Sequence, residues 1–124
     1  MSKAPRIAIV GGGPSGSLLA ILLARRGLVP TVIERSPPFV ATAGGGRSIN
    51  LALAARGIAA LKRAGIDAEV RELMIAMRGR MLHETNGKQR FLIYGQRAAE
   101  EIYSVSRSAL NALLYHIAAE RETE

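Results

Sequence analysis

The sequence predicts an α/β fold that opens with a strand, a glycine-rich turn, a helix and a second strand. Three features support this order: an apolar run over residues 6–10, glycines at 11–13 and 16, and a Leu- and Ala-rich segment over 17–26. A short β-branched run that ends at glycine is typical of a buried parallel strand, whereas Leu and Ala favour helix. Gly27 stands where a helix C-cap is expected, and Thr31–Glu34 completes a unit of βαβ size.

The middle of the chain predicts a loop and two helices. Two prolines and three consecutive glycines over residues 35–47 indicate a loop, after which residues 50–53 are expected to be extended. A helix is predicted over residues 54–64 and ends at Gly65. Asp67 is expected to cap a short helix that continues to about Met74.

The last third predicts a hairpin, a strand and a helix. Residues 76–84 and 89–94 flank Asn86-Gly87, a dipeptide that is the strongest short-range hairpin signal. A strand over residues 102–105 follows. Ser106 is then expected to cap a helix over residues 107–119, whose apolar stripe comprises Leu110, Leu113, Leu114 and Ile117.

The composition argues against a nucleic-acid-binding protein, a disulfide-bonded protein, a metal site and a membrane span. The formal net charge is +7, from 17 Lys and Arg against 10 Asp and Glu, but the basic residues are scattered and only 4% of residues are aromatic. A base-stacking surface needs aromatic residues among basic ones, so we expect no nucleic-acid partner. There is no cysteine to form disulfides or thiolate metal sites, and neither histidine has a second ligand at metal spacing. The longest apolar run is far shorter than a membrane span, and a cytoplasmic location is expected.

The glycine pattern Gly11-x-Gly13-x-x-Gly16 predicts a dinucleotide-binding turn. The first glycine permits the tight turn, the second leaves room for a pyrophosphate, and the third lets the helix pack closely on the strand. The free N–H groups of the following helix attract the anion, and Pro14 at its start loses no hydrogen bond.

Glu34 supports the same interpretation, because it lies eighteen residues after Gly16, near the position expected for a ribose-binding carboxylate. A carboxylate there repels a 2′-phosphate, so the turn suits FAD or NAD rather than NADP. The motif alone does not decide between those two. A glycine turn that binds nothing is the structural alternative.

Several later blocks carry a more specific resemblance. The segment from Gly46 to Leu53 (GRSINLAL), residues 77–81 (MRGRM), Tyr94-Gly95 and the segment Ser104–Arg107 (SVSR) resemble the kynurenine 3-monooxygenase family of single-component flavoprotein aromatic hydroxylases. The resemblance runs from Ile7 to about Ala119. It implies an incomplete Rossmann-like FAD-binding domain over residues 1–124, in which residues 76–105 contribute strands towards the substrate side.

The resemblance also implies roles for individual residues. The expected FAD-binding residues are Gly11, Gly13, Ser15, Gly16, Glu34, Arg35, Arg47, Ala52 and Arg107. The family often has a short residue and then an arginine after the acid, whereas this chain has Arg35-Ser36, so the adenosine-side contact is expected to be altered or moved by one position. Arg80 and Tyr94 match the family's positions for the carboxylate of the substrate amino acid. FAD is the expected cofactor, NADPH the reductant, and L-kynurenine and O₂ the expected substrates. No residue is assigned an acid–base role, and no metal is expected.

The family's chain is several times longer, so this chain is expected to be an N-terminal part that is inactive alone. Another aromatic hydroxylase and a non-catalytic nucleotide-binding fragment are the alternatives. Joint binding of a carboxylate by Arg80 and Tyr94 requires both side chains on one face of the hairpin. A two-residue turn at Asn86-Gly87 separates them, whereas a longer loop with a bulge is expected to bring Arg80 opposite Tyr94.

Overall fold

The computed structural model describes residues 5–36, 49–97 and 100–121. The elements in chain order are β1 (Ala8–Val10), α1 (Pro14–Ala24), β2 (Thr31–Ile33), β3 (Asn50–Leu53), α2 (Ala55–Ala64), α3 (Asp67–Arg71), β4 (Met74–Met77), β5 (Gly79–His83), β6 (Gln89–Ile93), β7 (Ile102–Ser106) and α4 (Arg107–Arg121). The predicted α/β fold is confirmed.

β1 and β2 form the parallel pair that the opening βαβ unit predicts, with Ile9 opposite Val32. Ile9 belongs to the hydrophobic core, and Val32 packs against that core. The opposite face of the pair is open, since Val10 is 84% exposed and Ile33 is 53% exposed. Parallel strands are normally covered on both faces, so this pair is an incomplete version of the expected sheet.

A second sheet contains three antiparallel strands in the order β3-β7-β4. Val105 of the central strand β7 lies opposite both Leu51 of β3 and Met74 of β4. Val105 is buried, and the other two side chains pack against the core. One face of this sheet therefore closes the core, while Ile75 on β4 is 71% exposed on the other face.

The helices supply the rest of the core. Ile21 of α1, Val70 of α3 and Leu114 of α4 are fully buried, together with Ile66 between α2 and α3. The predicted stripe on α4 is confirmed, because Leu110 and Leu114 are buried and Leu113 and Ile117 pack around them.

Glycines end α1 and α2 as predicted. Gly27 has a φ of +75°, its N–H donates to the Ala24 carbonyl at 2.9 Å, and the Leu28 N–H donates to Leu23 at 3.1 Å. These two hydrogen bonds satisfy carbonyls that the helix leaves free. Gly65 ends α2 in the same way, with a φ of +71°. Ser106 caps α4, since its Oγ accepts from the Ala109 N–H at 3.3 Å.

Two local predictions are wrong. The strand predicted over residues 76–84 is two strands in different sheets, because β7 pairs with Met74–Met77 and only the following residues join the hairpin. The helix predicted from Asp67 to Met74 ends at Arg71, where the Leu73 N–H closes a turn on Val70. Asp67 is the first helical residue and makes no capping hydrogen bond.

Candidate functional site

The glycine loop joins the end of β1 to the start of α1. Gly11 has a φ of +110°, a value that favours glycine, and its N–H donates to the Ile33 carbonyl at 2.8 Å. Gly13 is extended and precedes Pro14, the first residue of α1. The first N–H groups of a helix have no acceptor within the helix, so they can donate to an anion at this end of α1.

The three motif glycines differ in the space around them. A Cβ on Gly16 would collide with the Gly11 carbonyl oxygen, so the third glycine is required for close packing of α1 on the loop. A Cβ on Gly13 would meet no other heavy atom within 4 Å, which leaves that side of the loop open. This arrangement fits a pyrophosphate that approaches the backbone at Gly13 while Gly16 holds the helix close.

Glu34 directly follows β2 and bonds to the glycine loop. Its Oε2 accepts from the Gly12 N–H at 2.6 Å, and its Oε1 accepts from the Ser36 N–H at 2.9 Å. The Ser36 amide, followed by the Gly12 amide, holds the pKa of the Glu34 carboxyl below its ordinary value of 4.5. Glu34 is thus ionised at neutral pH and remains exposed enough to accept from further donors.

Two serines that the sequence did not single out also shape this region. The buried Ser17 hydroxyl donates to the Gly12 carbonyl at 3.1 Å, which ties α1 back to the loop. Ser36 supplies the second amide to Glu34. The sequence signal that could have identified Ser17 is a small polar residue within a largely apolar helical segment. Of the predicted contacts nearby, Ser15 lies exposed in the first turn of α1, and Arg35 lies exposed beside Glu34.

The pairing of β3 with β7 brings Asn50–Leu53, the last half of the GRSINLAL block, beside the SVSR block. Ala52 lies opposite Ser104, and the Asn50 side-chain amide donates to the Ser104 hydroxyl at 3.2 Å. The Arg107 N–H donates to the Ile49 carbonyl at 3.3 Å, so the start of α4 lies beside the start of β3. Ala52 and Arg107 are both exposed. Arg47, the remaining predicted FAD contact, lies outside the described residues.

The hairpin places Arg80 and Tyr94 on one face, although not directly opposite each other. Arg80 pairs with Leu92, and the Tyr94 N–H donates to the Arg78 carbonyl at 2.9 Å. Because side chains alternate along a strand, Tyr94 shares the face of Leu92 and therefore of Arg80. The expected register was wrong by two residues, and Tyr94 is the diagonal neighbour of Arg80.

The turn explains this register. Glu84 pairs with Lys88, and the Gly87 N–H donates to the Glu84 carbonyl at 2.9 Å, so three residues form the loop. Gly87 has a φ of +83°, which is typical of a type I turn followed by a glycine bulge. The longer loop that joint carboxylate binding requires is therefore present.

In the described part of the chain, no helix is both long enough and apolar enough to cross a bilayer.

Known proteins with related sequences are kynurenine 3-monooxygenases. The enzyme of Stenotrophomonas maltophilia is 48% identical over 113 residues, which cover 90% of this chain and 25% of that protein. The enzyme of Myxococcus xanthus is 44% identical over 117 residues, 92% of this chain and again 25% of that protein. The chain therefore spans about a quarter of the length of these relatives.

Two solved structures of longer chains have a similar fold. The p-nitrophenol 4-monooxygenase PnpA of Pseudomonas putida DLL-E4 matches 98% of this chain and 30% of its own, with a TM-score of 0.69 and 19% identity. PqsL of P. aeruginosa, solved with 2-aminobenzoylacetate, matches 95% of this chain and 31% of its own, with a TM-score of 0.65 and 27% identity.

A family model described as "FAD binding domain" matches residues 5–124, a span that includes the glycine loop, Glu34 and the three sheets β1-β2, β3-β7-β4 and β5-β6. That match supports FAD rather than NAD as the cofactor. The open backbone at Gly13, the amides at the start of α1 and the ionised Glu34 fit such a group. The chain belongs to the FAD-binding domain family.

Proposed function

We propose that this chain forms the FAD-binding part of a flavoprotein monooxygenase that hydroxylates an aromatic amino acid, with L-kynurenine as substrate and 3-hydroxykynurenine as product. The observation that carries the proposal is the glycine loop, which leaves Gly13 open and bonds Gly12 to the ionised Glu34. The identity of 44% to 48% with kynurenine 3-monooxygenases supports the substrate.

The glycine loop and the residues after β2 would hold the pyrophosphate and the adenosine of FAD. The backbone at Gly11, Gly13, Ser15 and Gly16 would approach the pyrophosphate. Glu34 would accept from the ribose hydroxyls, since a carboxylate is an acceptor with several lone pairs. Arg35 would contact the adenosine side from its exposed position beside Glu34.

The second sheet would contact the other half of FAD. Ala52 and Arg107 lie on exposed positions of β3 and α4, at the place where those two elements meet. A cation at the start of a helix opposes the helix dipole, so an anionic group nearby would stabilise Arg107 there. Arg47, near in sequence to Ile49, would join the same contact.

The substrate would lie on the hairpin of β5 and β6, within the region 76–105 that is expected to face the substrate. Arg80 would bind the α-carboxylate through its planar fork, and the Tyr94 hydroxyl would add one donor. When bound, the flavin would supply the redox chemistry, with NADPH as reductant and O₂ as the oxygen source. By holding the carboxylate, Arg80 and Tyr94 would orient the aromatic ring. We propose a cytoplasmic setting. We also propose no turnover by this chain alone, because the match covers only 25% of its relative's length.

A titration of the 1–124 chain with FAD, followed by flavin fluorescence, tests this proposal. We expect saturable FAD binding, much weaker NAD binding, and a loss of FAD affinity in Glu34→Ala. Glu69→Ala, on the exposed surface of α3, is the matched control and leaves FAD affinity unchanged. Equal affinity for FAD and NAD would favour a generic nucleotide-binding module. No saturable binding of either would remove the proposed function from this chain.

A further inference from the structure

One face of the hairpin concentrates positive charge. Side chains alternate along each strand, so the even-numbered residues of both strands share a face. This arginine face comprises Arg80, Leu82, Arg90 and Leu92 of the strands. It is extended by Arg78 and Tyr94, which lie one residue outside β5 and β6 and continue the ladder through the Tyr94 N–H to Arg78 carbonyl bond. The opposite face is apolar and carries Met81, Phe91 and Ile93. The hairpin therefore has two chemically distinct sides.

Among the described residues, no carboxylate lies within ion-pair distance of the three arginines of this face. All three are exposed, and Asp67–Arg71 on α3 is the ion pair found within 4.0 Å among residues 5–36, 49–97 and 100–121. Two acids that flank β6 in sequence make other hydrogen bonds. Glu84 accepts from the Asn86 side chain at 3.3 Å, and Glu100 accepts from the Gln96 N–H at 2.7 Å. Three guanidinium groups are thus available to an external anion.

Arg78 lies closer to the proposed carboxylate position than Arg90. Arg78 is directly opposite Tyr94, joined to it by the Tyr94 N–H···O bond of 2.9 Å. It is also two residues before Arg80, immediately outside β5. Side chains opposite each other have Cβ atoms about 4.5–5.5 Å apart. Arg78, Arg80 and Tyr94 therefore form a triangle on one face. Arg90, opposite Leu82, lies one row beyond Arg80 and two rows from Tyr94.

A triangle of two guanidinium groups and a phenol suits a single carboxylate. One arginine fork can bind both carboxylate oxygens, and a second can approach either oxygen from the side. The phenol donates to a lone pair that remains. Two neighbouring cations without an acid repel each other, so a bound anion stabilises the arrangement.

We propose that Arg78 is a second carboxylate-binding arginine, which holds the α-carboxylate of the aromatic amino acid together with Arg80 and Tyr94. The inference rests on the proposed function, which assigns a carboxylate role to Arg80 and Tyr94 alone. With two arginines, the site would select ligands with an α-carboxylate more strongly than a site with Arg80 alone. An amine that lacks this carboxylate binds without help from Arg78.

Calorimetric titration of the FAD-loaded 1–124 chain tests the inference, with L-kynurenine and its decarboxylated amine kynuramine as ligands. Arg78→Gln is expected to weaken L-kynurenine binding about fivefold to tenfold and to leave kynuramine affinity unchanged. Arg78→Lys keeps the charge and is expected to recover part of the loss. Arg90→Gln is the matched control on the same face and changes L-kynurenine affinity less than about twofold.

The outcomes separate this inference from the proposed function. If Arg80→Gln weakens L-kynurenine binding while Arg78→Gln behaves as Arg90→Gln does, the inference is overturned and the proposed function stands. If Arg78→Gln weakens both ligands equally, Arg78 acts on the hairpin rather than on the carboxylate, which also overturns it. If FAD binds but L-kynurenine does not, the chain lacks the site, and only the FAD-binding role survives.

Discussion

The Glu34 carboxylate accepts a hydrogen bond from the Gly12 N–H at 2.6 Å, which joins the end of β2 to the glycine loop. A Cβ on Gly12 would lie 3.1 Å from the Cβ of Glu34, so the two residues are also packed closely. The acid expected to select the ribose thus also fixes the loop that approaches the pyrophosphate. Cofactor affinity and loop geometry depend on the same side chain.

This bond predicts a pH dependence. Hydrogen bonds to the ionised form lower the pKa of Glu34 in the folded chain below 4.5. The carboxylate therefore contributes stability that is fully present above pH 4.5 and is lost as pH falls through the folded-state pKa. We expect the difference in melting temperature between wild type and Glu34→Gln to be constant at neutral pH and to shrink below pH 4.5. Melts followed by circular dichroism between about pH 3 and 7 measure it.

Glu69→Gln is the control for that series, because Glu69 lies exposed on α3. Its melting temperature should follow wild type at every pH. A Glu34→Gln difference that stays constant down to pH 3 would show that ionisation of Glu34 does not stabilise the loop.

Substitutions at Gly16 and Gly13 should distinguish an effect on folding from an effect on FAD binding. Gly16→Ala forces a Cβ against the Gly11 carbonyl, so we expect destabilisation by about 1–3 kcal/mol and loss of FAD affinity. Gly13→Ala meets no atom within 4 Å and has a φ of −71°, which alanine adopts readily. It should leave the melting temperature nearly unchanged and still weaken FAD binding, because the methyl group occupies the open side of the loop. Equal FAD affinity in Gly13→Ala and wild type would argue against a pyrophosphate there.

The first part of the fold was predictable because its signals are local. The strand before Gly11, the helix after it and Glu34 lie within thirty residues, and each element follows from neighbouring residue types. Helix ends at Gly27 and Gly65 were predictable for the same reason, since a positive φ favours glycine wherever it occurs.

The break between β4 and β5 was not predictable from residues 74–84 themselves. Arg78 and Arg80 alternate with Met77, Gly79 and Met81 across the junction, although the chain leaves one sheet and enters another there. What divides it is pairing with β7, which begins at Ile102. The contact of Arg107 with Ile49 depends on the same long-range pairing. The register of Arg80 and Tyr94 depended on the turn, because one loop residue changes which side chains face each other.

Asn111 on α4 offers a test of the core. It is buried, and within the described part of the chain its Oδ1 has no hydrogen-bond donor. An unsatisfied buried polar atom costs about 1–3 kcal/mol. Asn111→Leu keeps the number and branching of the side-chain heavy atoms and is apolar. It should therefore raise the free energy of unfolding by about 1 kcal/mol, measured by urea denaturation. Asn111→Ala, which leaves a cavity, should not. Destabilisation by the leucine would indicate that Asn111 has a partner that stabilises the core.

Gly87 should control the hairpin without affecting the FAD loop. Its φ of +83° costs a residue with a Cβ about 1–2 kcal/mol, so Gly87→Val should destabilise the three-residue loop. Asparagine tolerates this conformation better, and Gly87→Asn is the milder matched variant. Faster hydrogen exchange at the Glu84 and Gly87 amides, both bonded across the turn, would report the loss in Gly87→Val. L-Kynurenine affinity should fall with it, because the turn sets the register of Arg80 and Tyr94, while FAD affinity should stay constant. A parallel fall in FAD affinity would mean that the hairpin and the glycine loop fold as one cooperative unit.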